Sequence, residues 1–206
     1  MQVRHLTAAD YVRQPWRNGR GVTVELAREG DADGQMLWRL SIADVVEPGP
    51  FSLFPGIERV IMLLDGAGFD LDFGAQGRTA LTTALAPVAF SGDWTTHAEN
   101  VRGPSRDLNL MTARDRVQAV VSVHDGPFAA SGVDRRLLYA VDPAEVRHGD
   151  DMTKLEAGDL LCLSCARDME VGGQGARIVR IDLTLAAQGR PGLSQRYAPG
   201  DSGPST

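Results

Sequence analysis

"GPFSLFPGIERVIMLLDG", Gly49 to Gly66, is the stretch on which the fold turns. It opens on Gly–Pro, turns again at Phe54-Pro55-Gly56, then runs through Val60-Ile61-Met62-Leu63-Leu64 before Asp65 and Gly66 close it. A short apolar run between glycine and proline punctuation predicts a buried strand rather than a helix. The same kind of run recurs on both sides: "VTVELAR" (Val22 to Arg28), "MLWRLSIAD" (Met36 to Asp44), "RDLNLMTA" (Arg106 to Ala113) and "RVQAVVSVH" (Arg116 to His124). "GFDLDFG" alternates, with Phe69, Leu71 and Phe73 on one face and Asp70 and Asp72 on the other, as a strand with one wet side does. Turn clusters such as "EPGP", "DGAG", "GAQG", "SGDW" and "RGPS" lie between. Only "TAAD" (Thr7 to Asp10) reads as a helix start, and Pro15 keeps that helix short. The fold class expected is all-β with little helix, a sandwich or closed barrel.

A second set of strands comes next in "RRLLYAVD", "TKLEAGDLLCLSC" and "ARIVRIDLTL". "LEAGDLLCLS" in this half and "LAPVAFSGDW" in the first share a weak punctuation, which suggests two related small barrels. "HDGPFAASG" (His124 to Gly132) is the expected junction, giving an N-terminal half over 1–124 and a C-terminal half over 125–187. The remainder, 188–206, is rich in Gly, Pro and Ser and is expected to be a mobile tail.

The net charge of -6 and pI near 5.2 exclude the basic footprint that non-specific nucleic-acid binding needs. No segment approaches the roughly 18 apolar residues of a membrane span, and the N-terminus lacks the apolar core of a signal peptide. A cytoplasmic protein with neither nucleic-acid nor membrane partners is expected. Cys162 and Cys165 form a C-x-x-C spacing, but inside an apolar strand positions i and i+3 point to opposite faces. Two buried, inert thiols are expected there.

A cupin barrel usually carries a transition metal on H-x-H, a Glu and a distant His. In Gly49 to Gly66 the imidazole positions hold Phe51, Leu53 and Phe54, with Glu58 and Arg59 near the carboxylate position. "SGDWTTHAEN" supplies His97, but one His and one Glu hold a metal poorly. A metal-free pocket without cofactor is expected. Strand alternation supplies other chemistry. Arg39, Ser41 and Ala43 share one face of their strand; Asp107, Asn109 and Met111 share one face of theirs. Such polar pairs often face water. Together with Arg59 and "PWRNGRG" (Pro15 to Gly21) they make a set suited to a carboxylate: arginine for bidentate binding, held by an Asp, with Asn and Ser orienting the remainder. In "PWRNGRG", Trp16 offers an apolar face and Asn18 a donor and an acceptor, while Gly19 and Gly21 permit a tight turn or a close approach.

The blocks "PWRNGRGVTVELA", "WRLSIADV…GPFSLFPGIERVIMLLDGAG", "FSGDWTTHAE" and "GPSRDLNLMT", in this order over residues 15 to 113, resemble the signature of the HutD/Ves family of bicupins. The first block departs from the family's W-K-N-G-G-G: Arg17 stands for the Lys and Arg20 for the middle Gly, placing a bulky cation on a loop that is normally bare. The resemblance implies two RmlC-like jelly-roll halves without the usual metal ligands. It implies binding of a histidine-utilisation intermediate, such as N-formylglutamate or formiminoglutamate, in a regulatory role. Carried onto the matching positions, the pocket residues are Trp16, Asn18, Arg39, Ser41, Arg59, His97, Asp107 and Asn109. The alternatives are a metal-independent isomerase or hydrolase acting on an amino-acid derivative, with His97 or Asp107 as general base, and an assembly module. A homodimer is compatible with each.

Overall fold

The computed structural model describes residues 2–16, 21–166, 168–173 and 175–186. Arg17, Asn18, Gly19 and Arg20, and the expected tail, lie outside these described residues. The chain divides into two compact units, one spanning Leu6 to Val117 and the other gathering the N-terminal strand with residues from Gln118 onward.

The strands of the first unit are β2 (Val12–Pro15), β3 (Val22–Gly30), β4 (Met36–Val45), β5 (Gly49–Pro50), β6 (Ile57–Gly66), β7 (Phe69–Asp72), β8 (Arg78–Leu81), β9 (Val88–Ser91), β10 (His97–Glu99) and β11 (Ser105–Ala113). They form a six-stranded sheet, β2-β3-β4-β11-β6-β9, and a four-stranded sheet, β5-β10-β7-β8. Ile61, Leu63, Phe69, Leu71, Phe73 and Phe90 pack in the core of this unit. Phe69, Leu71 and Phe73 are buried as the alternation of "GFDLDFG" requires, but the wet face is corrected at Asp70, which is buried too and accepts from Asn100 and Arg102. Gly66 ends β6 at φ +100, where a Cβ would lie 2.2 Å from the Pro104 carbonyl oxygen, so the closing position of the strand requires glycine.

The second unit contains β1 (Gln2–Leu6), β12 (Val117–Asp125), β13 (Phe128–Ala130), β14 (Val133–Ala140), β15 (Ala144–His148), β16 (Asp151–Leu155), β17 (Leu160–Ala166), β18 (Met169–Gly172) and β19 (Arg177–Leu185). Its sheets are β1-β17-β14-β19-β12 and β13-β18-β15-β16. The order β12-β19-β14-β17 repeats β4-β11-β6-β9, and β13-β18-β15-β16 repeats β5-β10-β7-β8. Each unit is thus built on the same eight-stranded jelly-roll plan. The weakly repeated "LAPVAFSGDW" and "LEAGDLLCLS" fall on the matching strands β9 and β17.

Two local expectations are corrected. "TAAD" is a closed turn, not a helix: Asp10 Oδ2 accepts from the Thr7 amide at 2.8 Å and from the Thr7 hydroxyl at 3.1 Å, and the Asp10 amide donates to Thr7 O at 2.9 Å. The side chain that would cap a helix caps a turn instead, and Pro15 lies on the edge strand β2, where its missing N–H is tolerated. The cysteines are not both buried: Cys162 is half-buried, while Cys165, at φ +50, is exposed, and neither takes part in a disulfide.

Candidate functional site

The interior of the first unit contains a cavity of about 610 Å³. Antiparallel register builds its wall as a ladder across β4, β11 and β6. One rung is Arg39–Met111–Arg59, the next Ser41–Asn109–Ile61, the third Ala43–Asp107–Leu63. Successive rungs on one face differ by two residues, so the two polar pairs read from the sequence converge on a common space. Trp16, Thr23, Phe51 and Phe54 complete the lining beside them.

Arg59 is the most unusual member. Its side chain is 4% exposed, and its guanidinium carbon lies 5.1, 5.7 and 4.8 Å from the ring centres of Phe51, Phe54 and Phe90. The π faces of these rings stabilise the cation. Its Nε reaches Asn109 Oδ1 only at 3.5 Å, the outer limit of a hydrogen bond. Burial lowers its pKa to about 10, with Asp107 opposing and Arg39 adding to the shift, so it stays cationic at neutral pH. The aromatic residues that occupy the imidazole positions of a metal cupin are therefore the cage of an arginine.

Arg39 faces the same cavity from β4. Its Nε lies 2.8 Å from Glu25 Oε2, yet the N–H does not point at that oxygen, so the contact is an ion pair without an aligned hydrogen bond. The bulge in β3 between Glu25 and Ala27 accompanies this placement of Glu25 beside Ser41 and next to Arg39.

Asp107 has no exposed surface, and neither carboxyl oxygen has a hydrogen-bond partner. Burial pushes its pKa up to about 7, the charge of Arg59 pulling it down and that of Asp44 adding to the rise. The expected arrangement of an arginine held by an Asp is corrected here: Glu25 meets Arg39, and Asp107 hydrogen-bonds to neither arginine.

Trp16 seals one side. Its indole N–H donates to Thr23 Oγ1 at 2.8 Å and its amide to Gly21 O at 2.9 Å. A Cβ on Gly21 would lie 2.7 Å from Asp44 O and 2.9 Å from the Trp16 ring, so glycine is what lets the ring close on the backbone.

Of the eight residues expected from the sequence, Trp16, Arg39, Ser41, Arg59, Asp107 and Asn109 line this cavity. Asn18 lies outside the described residues. His97 is not among the lining residues; it sits exposed on β10, paired in register with Pro50 and Asp72. The sequence reading missed Thr23 and Glu25, though both stand on one face of "VTVEL", and it missed the caging role of Phe51, Phe54 and Phe90. Among the described residues no group of three His, Cys, Asp or Glu side chains converges as a metal site would require. No helix among them is long and apolar enough to cross a membrane.

The HutD family model matches residues 8–179. A 21.2 kDa protein encoded in the region 3′ of hutC in Pseudomonas putida is 40% identical, over 79% of this chain and 96% of its own length. Protein Ves of Citrobacter koseri is 40% identical over 63% of this chain and 68% of its own. The structure of HutD from Pseudomonas fluorescens, solved in a formate condition, superposes with a TM-score of 0.78 at 35% identity, covering 90% of this chain and all of that one.

Proposed function

The chain belongs to the HutD family, and from that premise we propose that its first unit is a metal-independent receptor for a small carboxylate. The ligand class that fits is a histidine-utilisation intermediate such as N-formylglutamate or formiminoglutamate, bound in a regulatory rather than a catalytic role. The observation that carries this reading is Arg59: a buried guanidinium caged by three phenylalanine rings, with no carboxylate among the described residues hydrogen-bonded to it. Its N–H edge is left for a bidentate acid. The family match and a relative encoded in the region 3′ of hutC support an acid of that pathway. On this reading the protein works among the metabolites of the cytoplasm.

Thermal melting against formate, glutamate, N-formylglutamate, formiminoglutamate and urocanate, with a chelator present throughout, is the test. A ligand at 100 times its Kd adds about 2.7 kcal/mol, roughly 5–10 °C for a chain of this size. A shift with one acid that survives the chelator is the expected result; no shift with any removes the proposal.

One observation favours a second reading. A buried carboxyl titrating near 7, as Asp107 does, is the kind of group that serves as general acid or base. Turnover of the acid that binds, measured by mass spectrometry, separates enzyme from receptor.

A further inference from the structure

Asp107 is the one lining residue that an acid ligand does not explain. It lies on the rung below Ser41 and Asn109, between Ala43 and Leu63, two residues without side-chain donors. It has no exposed surface, and both its oxygens lack a partner. A buried polar group left unpaired is destabilising, the more so if charged, and in folded proteins such groups are nearly always satisfied. The cavity's cations, Arg39 and Arg59, serve the acceptors of a ligand. Asp107 supplies the opposite polarity in the same space. A ligand made only of acceptors would set its oxygens against the ionised Asp107 carboxylate.

We infer that Asp107 selects an acid that also carries a hydrogen-bond donor of its own, and that this donor seats on the Asp107 carboxyl while the acid group meets the arginines. The inference rests on the cavity being an acid site and adds the feature that separates one acid from another. It assigns Asp107 a part in specificity: a plain diacid of the same length fills the space but leaves the carboxyl unpaired, whereas an N-acyl amino acid satisfies both ends.

The experiment is calorimetric titration of the full chain with two probes of one shape. N-formylglutamate has an amide N–H; 2-(formyloxy)pentanedioate has an ester oxygen in its place. A site built around a ligand N–H rejects the analogue that lacks it, so the native protein is expected to prefer the amide by at least about tenfold. In Asp107→Asn, whose amide can turn to accept or to donate, the preference is expected to fall to within about threefold. Asp107→Leu, which fills the position with an apolar group like its rung neighbours, should lose the preference too, and it guards against one variant failing to fold. Equal affinity for both probes in the native protein, tighter binding of the ester, or a preference that survives both substitutions overturns the inference while leaving an acid site in place. Binding of neither probe overturns the acid site and the inference together.

Discussion

Arg39 and Arg59 occupy one rung of the sheet, with Met111 of the intervening strand between them. Two strand spacings separate their backbones, roughly 10 Å, so the two cations flank Met111 on one wall of the cavity. They are held differently. Arg39 has a carboxylate beside it; Arg59 meets aromatic faces and a distant amide oxygen among the described residues. That difference makes Arg59 the position from which binding and stability can be separated.

Arg59→Met keeps apolar volume against the three rings and removes the charge. Losing a desolvated partner of an anion costs about 2–5 kcal/mol of binding. Folding stability should hold or rise, because replacing a buried, incompletely paired charge with an apolar side chain is often neutral or stabilising. Calorimetry with the acid that shifts the melt, together with the melt of the unliganded variant, reads both quantities. A matching loss of stability would make Arg59 structural.

Gly21→Ala tests the seal formed by Trp16. The added methyl would have to fit 2.7 Å from Asp44 O and 2.9 Å from the indole ring. Overpacking of this kind costs about 1–3 kcal/mol. The ring is expected to shift, breaking the Trp16–Thr23 hydrogen bond, with a change in tryptophan fluorescence and weaker ligand binding. Unaltered fluorescence and melting would show that the loop accommodates a side chain freely.

Strand alternation made part of the site legible in the sequence. It placed Arg39 with Ser41, and Asp107 with Asn109, on shared faces, because side-chain direction is local to a strand. The register that sets Met111 between two arginines is not local, and neither is the pairing of Arg59 with Phe90 on β9. The meeting of Glu25 with Arg39 accompanies a bulge that the pattern of "VTVELAR" does not announce. Thr7 and Asp10 misled because the same side-chain-to-backbone bonds begin a helix or close a turn, and the residues downstream decide between the two. Here those residues go into an edge strand. His97 entered through its place in a motif, and no alternation linked it to the other polar pairs.

Asp107 makes stability depend on pH in a direction opposite to that of most carboxylates. Its folded pKa, about 7, stands above its unfolded value near 3.9. Between those values the folded state holds more protons than the unfolded state, so stability falls as pH rises. The contribution is complete below about pH 4 and is lost through pH 7, on the order of 4 kcal/mol in all. Arg59, Arg39 and Asp44 are the charges that act in this environment. Asp142 and Asp72 are lowered by arginine partners, Asp70 by the hydrogen bond from Asn100 and then by Arg102, and all three act in the reverse sense at acid pH. Comparison of native protein with Asp107→Asn cancels them. The variant's melting temperature relative to native is expected to climb between pH 5 and pH 8. A flat difference would mean Asp107 keeps an ordinary pKa.

The second unit shows what happens to an inward arginine when the protein supplies its own acid. Arg136 lies on β14, the strand that corresponds to β6, on the same face as the core residues Leu138 and Ala140, as Arg59 is with Ile61 and Leu63. Arg136 is 1% exposed, and it donates to Asp182 through Nε at 2.6 Å and Nη2 at 2.9 Å. Arg180 donates to the same carboxylate at 2.5 Å. Burial works against the charge of Asp182, but the hydrogen bonds from Arg136 and Arg180 outweigh it and hold its pKa below the usual value. A carboxylate clamped by two arginines occupies this unit from within, whereas in the first unit Glu25 meets Arg39 and Arg59 is left open to a ligand. Titration should therefore give one acid bound per chain. Asp182→Asn strips the clamp of its charge and leaves Arg136 buried without a counterion, a loss of about 3–5 kcal/mol in stability by chemical denaturation, with the single binding event in the first unit retained. Two equivalent sites in the native titration would show that Asp182 does not fill the second one.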